Sequence, residues 1–128
     1  MESDPITVFA IATPSEAIGS IGLMPGKDVH RFTAEMGYWL AEPFWGKGIM
    51  TQAVKSLAAY AIVDLKLKRI FAEPYATNPA SARVLEKAGF MREGILRSNA
   101  FKDGKVLDQF LYSYVANTNV QTVIEGDR

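Results

Sequence analysis

Apolar residues at Met50, Ala53, Val54, Leu57, Ala58, Ala61 and Leu65 recur in steps of three and four. That spacing predicts an amphipathic helix over Thr51 to Leu65, with Lys55 and Asp64 on its polar face. Elsewhere the period shortens to that of strands. Ile6 to Ala12 is rich in β-formers, and Thr13-Pro14-Ser15-Glu16 reads as a turn. Ala17 to Leu23 predicts a second strand thinned by two glycines, Pro25 to Arg31 a loop, and Ala34 to Leu40 a third strand. Arg69 to Tyr75 predicts a fourth strand in which Pro74, lacking an N–H, requires open pairing or an edge. Asn78-Pro79 supplies an N-cap and a first helical residue for a second helix that stops at Gly89. Phe90 to Arg97 and Val106 to Val115 form a hairpin around Asp103-Gly104, and the polar tail 117–128 reads as frayed.

The order β-β-β-α-β-α-β-β predicts a single domain over 1–128 of the α/β (α+β) class. Its sheet is mixed, mostly antiparallel and twisted, with one parallel βαβ crossover from the third strand to the fourth. Trp45-Gly46-Lys47-Gly48-Ile49-Met50 lies where that crossover leaves the third strand. A glycine turn opening a helix gathers unpartnered N–H groups and the positive end of the helix dipole, a site for phosphate or pyrophosphate. Two nucleotide motifs fail here. Thr51 stands where a dinucleotide fingerprint needs its third glycine, and Gly22 to Asp28 is one residue short of a triphosphate loop and ends in Asp. If the parallel strands part near Pro74, an amide-bearing ligand arm completes the missing ladder beside the anion site. Pyrophosphate next to an extended amide chain describes coenzyme A.

Composition narrows the partners. The 128 residues carry 14 basic and 14 acidic side chains, so there is no electrostatic case for nucleic acid or an anionic membrane. The chain has no cysteine and one histidine, which excludes disulfides, thiol nucleophiles and a multi-histidine metal site. With no leader and no long apolar run, it reads as a soluble, cytoplasmic protein.

In order along the chain come Glu35-Met36-Gly37-Tyr38-Trp39-Leu40, Trp45 to Thr51, Asn78-Pro79-Ala80-Ser81, Leu85-Glu86-Lys87-Ala88-Gly89-Phe90, and Lys102-Asp103-Gly104 with Asp108. Together they resemble the GNAT superfamily of acyl-CoA-dependent N-acetyltransferases, and within it the ribosomal-protein N-terminal (Rim-type) branch. The resemblance implies a GNAT-like fold, acetyl-CoA as co-substrate without a metal, and transfer to a primary amine on a protein N-terminus or small molecule. It implies that the backbone of Trp39, Leu40 and Ala41 pairs with the pantetheine arm. Trp45, Gly46, Lys47, Gly48, Ile49, Met50 and Thr51 would hold the pyrophosphate. Asn78 and Ser81 would meet the thiol end, and Lys87 the phosphate-bearing end. There are departures. Leu85 occupies the position of a tyrosine general acid found in many members, leaving Ser81 as the candidate to protonate the leaving thiolate. Ala100 replaces a glutamate of the ribosomal enzymes. The family's usual N-terminal strand and helix pair has no counterpart before the first strand, so the chain reads as a fragment, a natural short form or a protomer completed by a partner, a homodimer included.

Acetyl transfer needs a neutral amine, and an alkyl ammonium has a pKa of about 10, so a base must take its proton. Glu35 is the candidate base, Glu73 the alternative, and both compete with a plain solvated role. The backbone near Leu40 is a candidate donor to the thioester carbonyl. Asn78 reads as a helix cap, a cofactor ligand or both. Tyr38, Trp39, Trp45 and Phe90 read as core, Asp108 as ordering the last hairpin, and His30 as surface. Two further readings compete with catalysis: a non-catalytic acyl-CoA-binding module or truncated inactive domain, and an assembly domain whose glycine turn only starts a helix.

Overall fold

A computed structural model of the chain describes residues 7–116. Its elements are β1 (Thr7–Ala12), β2 (Ala17–Pro25), β3 (Thr33–Leu40), α1 (Ile49–Val63), β4 (Arg69–Ala72), α2 (Pro79–Lys87), β5 (Met91–Lys102) and β6 (Lys105–Val115). They build one six-stranded sheet in the order β1-β2-β3-β4-β6-β5. Only β3 and β4 run parallel, joined by α1, and every other neighbouring pair is antiparallel. The mixed sheet with one parallel crossover is the architecture expected from the element order. The expected tail, and Ile6 at the expected start of β1, lie outside the described residues.

Strand alternation sorts the sheet into two faces. Ile21 and Leu23 of β2, Ala34 and Met36 of β3, Ile70 and Ala72 of β4 and Tyr112 of β6 share one face. Both helices pack there, α1 through Met50, Val54, Leu57, Ala58 and Ala61, and α2 through Ala82 and Leu85. Val54, Ile70 and Leu85 are wholly excluded from water, each contributing about 1.5–3 kcal/mol of burial free energy. On the other face the alternate positions leave Val8, Met24 and Trp39 exposed.

Several boundaries differ from expectation. α1 begins at Ile49 and ends at Val63, so Leu65 leaves the helical face and is exposed; Lys66 (φ 61°) turns the chain there. β2 runs on to Pro25, whose pairing with Ala34 extends the β2–β3 ladder. β5 continues to Lys102 past a bulge at Ser98 (φ 53°), where Asp108 Oδ1 accepts the Ser98 N–H at 2.8 Å. A carboxylate placed across the hairpin thus holds an irregularity that no periodicity announces.

Candidate active site

β3 and β4 stay paired for only three steps, Thr33↔Arg69, Ala34↔Ile70 and Glu35↔Phe71. β4 then turns away along β6. Pro74 offers its carbonyl to Phe110 N–H (2.9 Å), and Ala76 N–H donates to Asp108 C=O (2.9 Å). The missing N–H of Pro74 lies on this β6 side, where it leaves the ladder one bond short; the gap opens because pairing with β3 stops at Phe71 while β4 follows β6. β3 itself continues to Leu40 against β2, so its far edge is left open over Met36 to Leu40. Ala41 N–H donates to Ile18 C=O of β2 at 2.8 Å. Alternation therefore turns the backbone groups of Ala41 and Trp39 toward β2, and those of Tyr38 and Leu40 into the gap. Of the three backbone units expected to meet a ligand arm, Leu40 faces it, and the main-chain groups of Trp39 and Ala41 do not.

After β3 a short 3-10 turn, Glu42–Phe44, brings the chain round to the glycine turn. Trp45 Nε1 donates to Leu40 C=O at 2.6 Å and ties the turn to the strand end. Gly46 (φ 75°) and Gly48 (φ 78°) both take left-handed backbone that costs other residues about 1–2 kcal/mol. Gly48 is the N-cap of α1, no side chain caps that end, and the first α1 bond runs from Gln52 N–H to Gly48 C=O. The N–H groups of Ile49, Met50 and Thr51 thus lack intrahelical partners, an arrangement suited to an anion.

A cleft of about 400 Å³ lies between this turn, the open edge of β3 and α2. Among the residues singled out in the sequence, Trp39, Leu40, Trp45, Gly46, Gly48, Ile49, Met50, Thr51, Asn78, Ser81 and Lys87 line it. Ala41 and Lys47 do not. Asn78 caps α2, its Oδ1 accepting Ser81 N–H at 3.2 Å, which leaves its amide NH₂ for the cleft. The sequence reading missed Arg83, one turn before Lys87 on the same side of α2, and Tyr38. Tyr38 departs from the core placement expected of it. It is half-buried, and its hydroxyl lies 2.7 Å from Ser81 Oγ. Burial pushes its phenol upward in pKa, and the hydrogen bond with Ser81 opposes this. Trp39 and Trp45, also read as core, are 59% exposed at the cleft mouth, whereas Phe90 is buried as expected. Leu85 points wholly into the core.

Glu35 lies on the other face. It borders two depressions there, one with Gly37, Tyr38 and Trp39, the other with His30, Phe71 and Glu73. Tyr38 and Trp39 line the first depression and the cleft alike, so β3 borders both. Burial raises the Glu35 carboxyl above its ordinary pKa, and the Glu73 charge raises it further. Arg69 borders the Glu73 depression but is held by Glu93 in a two-point ion pair (3.0 and 2.8 Å). The acidic pair is therefore left without that guanidinium. His30 is exposed, and among the described residues no group of three or more His, Asp or Glu side chains gathers as a metal site. No described helix is long and apolar enough to cross a membrane.

The mixed sheet thus has one parallel pair that splays beside the glycine turn at the start of α1. Residues 1–91 match the acetyltransferase (GNAT) domain family, and the chain belongs to it. It is 43% identical over 106 residues to the probable N-acetyltransferase YjcK of Bacillus subtilis, covering 81% of this chain and 59% of that protein. The ribosomal-protein-serine acetyltransferase of Escherichia coli is 32% identical over 111 residues, 87% of this chain and 62% of that protein. The solved structure of RimL, a ribosomal L7/L12 α-N-protein acetyltransferase in complex with coenzyme A, shares the fold with a TM-score of 0.81. Its identity is 24%, over 88% of this chain and 63% of that one. The chain thus spans a little over half the length of these relatives.

Proposed function

We propose that this chain is an acetyl-CoA-dependent N-acetyltransferase acting on a primary amine by direct attack in a ternary complex. The observation that carries this reading is the splay of β3 from β4 directly above the uncapped start of α1. The residues fit the co-substrate: N–H groups at Ile49 to Thr51 for pyrophosphate, the Leu40 edge for an amide arm, and Arg83 and Lys87 as counter-charges. Bound acetyl-CoA would supply an acetyl thioester. Leu40 N–H, facing the gap, is placed to polarise a carbonyl there. Glu35, on the far side of the gap, takes the proton of an attacking amine, and burial and then the Glu73 charge raise its pKa and make it a stronger base. Ser81 meets the leaving sulfur. The acceptor class is a primary amine presented from the Glu35 face. The Escherichia coli relative, a ribosomal-protein-serine acetyltransferase, favours a protein acceptor, and the acidic pair there equally suits a cationic small molecule.

Calorimetric titration with acetyl-CoA tests the reading, alongside Gly48→Glu. That variant strains a left-handed position and sets a carboxylate among the N–H groups. Micromolar binding lost in Gly48→Glu, followed by turnover in a screen of amines and N-terminal peptides, supports it. A folded wild-type chain that binds no acetyl-CoA sinks it. Leu85 at the position of the family's tyrosine favours one second reading, a non-catalytic acyl-CoA-binding module, which any clear turnover eliminates.

A further inference from the structure

Tyr38 reaches the cleft from β3, and Ser81 reaches it from the first turn of α2. Resting on the reading of the cleft as an acetyl-CoA site, we propose that Tyr38 is a positioning residue that aims the Ser81 hydroxyl hydrogen at the sulfur of the bound coenzyme.

A phenol has one hydrogen to donate, and two acceptors lie near it: Ser81 Oγ at 2.7 Å and the Ser81 carbonyl at 3.3 Å. The first distance is the usual one for O–H···O and the second lies outside the usual range. The carbonyl also sits in α2, where the helical ladder engages it. Either oxygen of the 2.7 Å pair can donate; the shorter contact and the engaged carbonyl favour the phenol as donor to Ser81 Oγ. A serine hydroxyl that accepts from Tyr38 has one hydrogen of its own left to place. No other hydrogen bond to Ser81 Oγ occurs among the described residues, and Ser81 lines the cleft. Its backbone is fixed as well, through the Asn78 cap. Burial of Tyr38 disfavours its phenolate, so it stays a donor across the neutral range.

The chemistry needs no stronger acid. As the amine nitrogen bonds to the acetyl carbon, the carbon–sulfur bond breaks and its electron pair stays on sulfur, while the amine proton goes to Glu35. An alkyl thiol has a pKa of about 8.5, so its thiolate is an acceptable leaving group once a directed hydrogen bond meets it. Ser81 keeps its proton and donates that bond. Leu85, sealed in the core, leaves this role to the phenol on the strand side.

The test reads the thiol itself. Free coenzyme A is bound to wild type, Tyr38→Phe, Ser81→Ala and the double variant. Thiolate ultraviolet absorbance is followed against pH with S-methyl-coenzyme A as blank, and calorimetry and circular dichroism check binding and folding. Arg83 and Lys87 are unchanged throughout, so their influence on the sulfur cancels. Loss of a hydrogen bond to a charged acceptor predicts a thiol pKa about one unit higher in Tyr38→Phe, about tenfold less thiolate at a given pH. Ser81→Ala and the double variant should match it, the double variant adding nothing to either single change. A wild-type pKa in Tyr38→Phe with a raised one in Ser81→Ala overturns the role of Tyr38. Equal pKa values in all four overturn the contact of Ser81 with sulfur and leave the cofactor site standing. No binding of coenzyme A by wild type removes this inference together with the functional reading beneath it.

Discussion

Trp45 donates its indole N–H to the carbonyl of Leu40 at 2.6 Å, across a five-residue step that joins the open strand edge to the anion-binding turn. The side chain is 59% exposed, so its value lies in this bond and in the wall it offers the cleft more than in core burial. The bond fixes where the turn stands relative to Leu40, the two parts that must grip one ligand at once.

Trp45→Phe should therefore leave the fold intact and weaken acetyl-CoA. One hydrogen bond contributes about 1 kcal/mol, equivalent to a rise of several-fold in Kd. Calorimetry reads the affinity and urea unfolding the stability. An unchanged Kd would show that the turn is held without the indole.

Glu35 and Glu73 share a depression and repel each other. A base must be ionised, so kcat/KM should rise with pH as Glu35 deprotonates, above the usual carboxylate range because burial and then Glu73 raise its pKa. Glu73→Gln removes the repulsion, lowers the Glu35 pKa and moves this acidic limb to lower pH. Glu35→Gln should abolish the limb and slow turnover by about 10²–10⁴-fold. A pH profile unmoved by Glu73→Gln, or full activity in Glu35→Gln, would assign proton removal elsewhere.

How much of this was legible in the chain can be judged residue by residue. The glycine turn carries a backbone reason, a left-handed φ, and led to the cleft; Pro74 marked the right end of β4, but its missing N–H lies on the β6 side and the strands part earlier, after Phe71. Tyr38 was legible in principle. It shares strand parity with Met36, which faces the helices, so it had to face α2. What hid it was its type, since aromatic residues on such faces are usually core. Arg83 and Lys87 lie four apart on α2, and nothing local says which side that helix turns to the gap. The insertion of β6 between β4 and β5 depends on long-range pairing that local periodicity does not encode. Leu65 misled because its spacing continued the helix while Lys66 ended it.

Leu85 fills the place of a tyrosine, yet the side chain is fully buried in the cluster that joins both helices to the sheet. Leu85→Tyr should not create a cleft acid. The added hydroxyl meets a packed core and costs about 1–3 kcal/mol by overpacking, with no gain in turnover. Leu85→Ala should cost about 2–5 kcal/mol. Urea unfolding measures both. A stable and more active Leu85→Tyr would mean that this turn of α2 can rotate toward the gap.

Tyr112 links β6 to α2, its O–H donating to Glu86 Oε2 at 2.6 Å from a position 1% exposed. Burial, and then the hydrogen bond to the Glu86 carboxylate, push the phenol up to about 12 from an ordinary value of 10.0. In the unfolded chain the phenol ionises near its ordinary value, so between about pH 10 and 12 the folded state binds the extra proton. Its contribution to stability is complete below about pH 10 and is lost as pH rises through about 12. Tyr112→Phe removes both the bond and the titration. It should lower stability by about 1 kcal/mol at neutral pH, where Glu86 is exposed and readily solvated, and should make the alkaline decline shallower. Urea unfolding at pH 7, 10 and 11 for the two proteins separates these effects. Parallel curves across that range would mean that the phenol ionises no later in the fold than outside it.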